Sequence, residues 1–187
     1  MITEYIIKNL KQNGVLESKE EAMVQYGLNG LLSTLFSLIS IILIGLYCDC
    51  LMESIIFTIS FFFLRIYAGG YHADTPIKCY GTSLAISITV FYIIHRLNLG
   101  TMILTLIFIL SSITVLILSP LDTPNKPLDQ KEYKYYKKKT YTIVGIYIIL
   151  FILTLLIKQY SIYWSICMAT FIISLLQILS LIKGGII

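Results

Sequence analysis

The chain has 187 residues, 57% of them hydrophobic and 13% charged, with a net charge of +4 and a mean hydropathy of +0.85. Such values exclude a soluble domain, in which about a quarter of the residues are charged. The positive excess alone identifies no partner and no nucleic acid is expected, because in a membrane protein the placement of Lys and Arg outweighs their sum.

The first residues, MITEYIIKNLKQNG, carry Lys8 and Lys11 among apolar positions. They lack the apolar core and small-residue cleavage site of a signal peptide, so residue 1 is expected in the mature protein. Ile2, Tyr5, Ile6 and Leu10 share one helical face, with Lys8 and Lys11 towards the other. That pattern fits an interfacial amphipathic helix, with a flexible terminus as the alternative. Next, SKEE offers Ser18 as N-cap and Glu21 at N3, a capping box that starts a helix running into the membrane.

Six apolar segments follow, roughly 28–47, 51–67, 79–95, 101–119, 141–157 and 161–182. A helix needs about 20 apolar residues to cross the hydrocarbon core, and each segment reaches or approaches that length. The expected fold is all-α: a polytopic integral membrane helical bundle with nominally six transmembrane segments in one domain. Residues 1–27 form its interfacial N-terminal region, 28–119 the first four segments, 120–140 a basic loop, and 141–187 the last two segments and the C-terminus. Of the 14 Lys and Arg residues, only Arg96 and Lys158 fall on one side of this arrangement. The positive-inside rule then puts both termini in the cytoplasm, together with the stretch RIYAGGYHADTPIKCY at 65–80. Segments two and three look short: only eleven uncharged residues separate Glu53 from Arg65. Either they thin the bilayer while Arg65 snorkels, or they form a re-entrant pair.

Residues 65–80 gather the polar chemistry. Thr75-Pro76 reads as a helix start, with threonine as N-cap and proline at N1. Cys79 then falls in the first turn, where unpaired N–H groups and the helix dipole favour a thiolate, and Lys78 acts in the same sense. His72 is the candidate base, seven residues earlier. On one continuous helix the two would stand about 10 Å apart along the axis, against the roughly 3 Å that proton transfer needs. The helix must therefore break, and Gly69-Gly70 and Pro76 permit the break. Blander readings stay open: a membrane-helix cysteine also serves as a small packing residue, and a histidine near a membrane end also sits at the interface. Such readings suit His95, Cys167 and the Cys48-Asp49-Cys50 turn. The four cysteines have no zinc or disulfide spacing.

Arg65, Gly69-Gly70, His72 and Cys79, followed by PLDTPNKPL at 120–128, resemble the accessory gene regulator B family of membrane cysteine endopeptidases. The resemblance covers length, number of apolar segments, basic loops and both motifs. It implies processing of the precursor of a cyclic autoinducing peptide in quorum sensing. Cys79 would attack the bond after the future peptide's last residue with His72 as base, release the C-terminal tail, and leave an acyl-enzyme thioester. An internal cysteine or serine of the precursor would then close a thiolactone or lactone.

The resemblance further implies a homodimer, contact with membrane lipids, a bacterial plasma-membrane location, and neither metal nor organic cofactor. Arg65 matches the motif and would hold an acidic group of the precursor, with snorkelling as its alternative. Gly69 and Gly70 would shape the loop. Asp74 would orient His72 or cap the next helix. Lys137, Lys138 and Lys139, in KEYKYYKKK, would attract an acidic substrate tail or serve as a topology signal beside interfacial tyrosines. Two rivals remain. A small peptide transporter would need ionisable groups along a path, and Glu53 is the one acidic residue within a segment. A non-catalytic scaffold would leave the Gly-Gly-His and Cys cluster without a role.

Overall fold

A computed structural model describes residues 2–13, 21–70, 76–96, 99–121 and 128–182. These form seven helices and no strand: α1 (Ile2–Gln12), α2 (Glu21–Tyr47), α3 (Leu51–Ala68), α4 (Pro76–Arg96), α5 (Thr101–Leu118), α6 (Gln130–Leu156) and α7 (Tyr160–Ile182). The protein is a polytopic membrane helical bundle. Five helices are long and apolar enough to cross a membrane, within 27–47, 51–68, 101–118, 130–156 and 160–182. Among the described residues the sixth expected segment, in α4, holds a shorter apolar run, Tyr80–Ile94.

The apolar interior gathers on α7, which packs against α3, α5, α6 and α4. Leu64, Leu104, Val115, Val144 and Ile173 are all fully buried there. The outer faces stay apolar, with Leu110, Ile117, Ile149 and Leu156 exposed. Such surface suits lipid, where helices associate by close packing and interhelical hydrogen bonds.

Those hydrogen bonds define how the helices run. Ser161 Oγ donates to Glu53 Oε1 at 2.5 Å and Ser165 Oγ to Glu53 O at 3.2 Å, while Gln177 Nε2 donates to Ala68 O at 3.0 Å. Thus α3 runs parallel to α7 along its whole length. Its 18 residues rise about 27 Å, close to the roughly 30 Å of a hydrocarbon core. That is the geometry of a full crossing for segment two, with Glu53 and Arg65 satisfied at its two ends. Cys167 Sγ approaches Leu104 O at 3.4 Å and Gln177 Nε2 reaches Ser119 Oγ at 2.8 Å, so α5 also runs parallel to α7. In the opposite direction, α6 meets α3 through Tyr147 and Ser60 at 2.8 Å and through the Tyr67 and Tyr136 rings at 5.8 Å. The hydroxyls of Ser40 and Tyr80, 3.0 Å apart, link α2 to α4.

Two sequence expectations change. The basic stretch assigned to a loop at 120–140 is helical from Gln130 onward. Its start is a capping box: Gln130 N–H donates to Asp129 Oδ1 at 2.7 Å and Asp129 N–H to Glu132 Oε2 at 3.2 Å. Lysines and tyrosines spaced four apart then stack within the helix, Lys137 Nζ over Tyr133 and Lys139 Nζ over Tyr135. At the N-terminus, α1 is helical as its amphipathic pattern suggests, but Ile7 is its buried residue and Tyr5 is exposed. Lys11 pairs with Glu21 where α1 meets α2. The proposed N-cap Ser18 lies outside the described residues.

Candidate functional site

The site grows from the end of α3. Gly69 and Gly70 both have positive φ, 74° and 120°, a region that residues with a side chain seldom adopt. Space is equally restrictive. A Cβ on Gly69 would stand 2.7 Å from the Leu121 carbonyl oxygen, and one on Gly70 would stand 2.4 Å from Arg65 Nη1 and 3.4 Å from the Gln177 backbone nitrogen. The chain leaving α3 is thus wedged between the segment that follows α5 and the backbone of α7.

Hydrogen bonds secure the wedge. Gly69 N–H donates to Arg65 O at 3.3 Å, and Arg65 Nη1 returns to Gly69 O at 2.9 Å. Leu121 N–H donates to Ala68 O at 3.2 Å. Arg65 therefore caps the end of its own helix, and the segment from Ser119 to Leu121 is bound to the turn that leads into residues 71–75.

Cys79 is the fourth residue of α4, which begins at Pro76. Its backbone belongs to the first turn, where N–H groups lack intrahelical partners and the dipole favours negative charge. The Cys79 side chain, together with His72 and Asp74, lies outside the described residues, and so do Asp122 and Asn125. The other cysteines occupy different settings. Cys48 is exposed, while Cys50 and Cys167 are buried. In the turn between α2 and α3, burial, with neighbouring Cys48, Glu53 and Asp49 adding to it, pushes the Cys50 thiol up to about 11.

The lysines stand nearby. Tyr67 of α3 packs on Tyr136 and Tyr135 of α6, with ring centroids 5.8 and 6.5 Å apart. This contact brings the first turns of α6 beside the end of α3. Lys134, Lys137 and Lys138 line a shallow recess on α6 itself with Tyr133, Tyr141 and Thr142. The structure thus gathers Arg65, Gly69, Gly70 and the α6 lysines at one end of the bundle. Tyr67 and Leu121 fall within the stretches 65–80 and 120–128 singled out in the sequence, whereas Ser119 and Gln177 lie outside them. Of the latter two, only Gln177 carries a signal, as a single amide within an apolar segment.

A bundle of apolar helices with a glycine-shaped, basic polar end and a cysteine at a helix start defines a polytopic membrane protein. The profile of the accessory gene regulator B (AgrB) family matches residues 1–181. A putative AgrB-like protein of Clostridium perfringens (strain SM101 / Type A) is 30% identical over 80% of this chain and 73% of its own length. A second, from Clostridium perfringens strain 13 / Type A, is 28% identical over 88% and 80%. The accessory gene regulator protein B of Staphylococcus aureus (strain Newman) is 25% identical over 80% and 78%. No solved structure matches. The chain belongs to the AgrB family, and that membership ties it to the accessory gene regulator quorum-sensing system.

Proposed function

We propose that the protein is a membrane cysteine endopeptidase that removes the C-terminal tail of an autoinducing-peptide precursor and promotes ring closure. The observation that carries this reading is the family match across residues 1–181, in a chain whose Cys79 backbone sits in the first turn of α4. His72 takes the thiol proton, and the Cys79 thiolate adds to the scissile carbonyl. The C–N bond breaks, the proton passes to the departing amine, and an acyl-enzyme thioester remains. An internal thiol of the precursor then displaces Cys79, giving a thiolactone; a hydroxyl gives a lactone. Making a thioester from an amide is uphill and is drawn forward by loss of the released tail, whereas the later exchange of one thioester for another is nearly isoenergetic. Water is the competing nucleophile, and a site at the membrane boundary limits its access.

On this reading the polar end, the site and both termini face the cytoplasm, in keeping with the Lys and Arg distribution. The α6 lysines draw in an acidic tail, and the protein works as a homodimer in the bacterial plasma membrane. The test is co-expression with candidate precursors, with mass spectrometry of the released tail and of any acyl adduct on Cys79. Cys79→Ala and His72→Ala should both abolish tail release, and the adduct should occur only where Cys79 is present. Undiminished processing by Cys79→Ala would overturn the assignment.

A further inference from the structure

At the root of residues 71–75, one side chain joins three parts of the chain that are remote in sequence. Gln177 of α7 is fully buried. Its Nε2 donates to Ala68 O at 3.0 Å, across 109 residues, and to Ser119 Oγ at 2.8 Å, across 58. Because the Ala68 carbonyl only accepts, the amide orientation is fixed, and both of its hydrogens are engaged. The same carbonyl accepts the Leu121 N–H. Among the described residues nothing donates to Gln177 Oε1. A buried acceptor in that state is destabilising. Leucine would fill similar space without that cost, so what glutamine adds at this position is its pair of donors.

Those donors act where direction matters. From Ala68 the chain passes through Gly69 and Gly70, which lie against Leu121 and against the α7 backbone at Leu176 and Gln177. His72 follows Ala68 by four residues. We infer that Gln177 is a positioning residue of the peptidase reaction: by joining Ala68 O to Ser119 Oγ it fixes the end of α3 and the Gly69-Gly70 turn, from which the sequence continues to His72. It does this from within the bundle, without touching substrate. The inference rests on the proposed His72–Cys79 pair. A displacement of about 1 Å in a reacting group lowers the rate roughly 100-fold. Gln177→Leu should therefore lower kcat for tail release by about 10-fold or more while KM stays within about 3-fold.

The deciding experiment is the pH profile of Cys79 alkylation, read peptide by peptide by mass spectrometry on the full chain in lipid nanodiscs. The proteins compared are wild type, His72→Ala, Gln177→Leu, Ser119→Ala and Thr170→Val. Thr170 is a control in the same helix: it is buried, and its hydroxyl bonds to the carbonyls of Ile166 and Cys167. Gln177→Leu should move the profile towards that of His72→Ala, Ser119→Ala should move it less, and Thr170→Val should leave it in place. A Gln177→Leu profile that overlays wild type while His72→Ala shifts would overturn the positioning role and spare the proposed pair. A profile indifferent to His72→Ala would overturn the pair itself. Equal shifts for Thr170→Val and Gln177→Leu would reveal general loosening of α7 and also defeat the inference. Should Gln177→Leu fail to fold, a shift in Ser119→Ala but not in Thr170→Val supports it, and any other result for those two rejects it.

Discussion

Tyr147 of α6 donates its hydroxyl to the carbonyl of Ser60 in α3 at 2.8 Å, a bond between residues 87 apart in sequence. It lies inside the bundle, where the Tyr147 side chain is almost wholly enclosed. Tyr147→Phe should destabilise the detergent-solubilised protein by about 1 kcal/mol, visible as a lower melting temperature. The loss stays modest because Ser60 lies mid-helix and its carbonyl keeps its place in the α3 ladder. A change of several kcal/mol would mean that the hydroxyl serves a wider network than this one bond.

Gly69 and Gly70 should respond differently to alanine. Both have positive φ, in regions that cost an L-residue about 1–3 kcal/mol. Beyond that, a Cβ at 69 meets the fixed backbone oxygen of Leu121, whereas one at 70 first meets the end of the flexible Arg65 side chain. Gly69→Ala should therefore lower thermal stability more than Gly70→Ala. Scanning calorimetry of the two variants, showing the reverse order, would contradict the packing described around Leu121.

The α6 capping box predicts a local effect. Asp129→Ala removes the acceptor for the first N–H groups of the helix and should cost about 1 kcal/mol. Hydrogen exchange should speed up in the first turn after Gln130 and stay unchanged beyond Thr140. By contrast, Lys137→Gln and Lys139→Gln should alter stability by less than about 1 kcal/mol each, since neither ring contact is buried: Lys139 and Tyr135 are exposed, and Lys137 and Tyr133 half-buried. On the proposed function both should raise KM for an acidic-tailed precursor, with the difference from wild type fading at high salt.

Cys50 offers a pH test away from the site. Its folded value lies near 11, above the ordinary 9.0, because burial disfavours the thiolate. Sign follows from linkage: a raised value gives stability that is full below pH 9 and declines as pH rises through 11. Iodoacetamide at pH 8 should label exposed Cys48 well ahead of Cys50, and Cys50→Ser should flatten the fall in stability between pH 9 and 11. Equal labelling of the two at pH 8 would contradict the buried placement.

Hydropathy sufficed for most of the fold. The apolar segments at 51–67, 101–119 and 161–182 match α3, α5 and α7 within a residue or so, because lipid exposure keeps every face of such helices apolar. It failed at α6, whose first eleven residues are polar and helical; the Asp129 and Glu132 spacing was legible there but masked by the density of lysine. The polar end was legible in part. Gly69-Gly70 and Arg65 drew attention as local composition, and Pro76 marked the start of α4. Leu121 stands in the PLDTPNKPL motif already grouped with Gly69-Gly70, but Gln177 and Ser119 could not be grouped from sequence, since their partnership with Ala68 depends on α3 and α5 both lying alongside α7.

The length of α6 bears on how its charge is presented. At 27 residues it rises about 40 Å, some 10 Å more than the hydrocarbon it must cross. The surplus is the lysine-bearing portion, continuous with the transmembrane rod and braced against α3 by Tyr67. The positive charge is consequently not a tether that sweeps a volume of solvent. It is a mast of set height, held beside the end of α3.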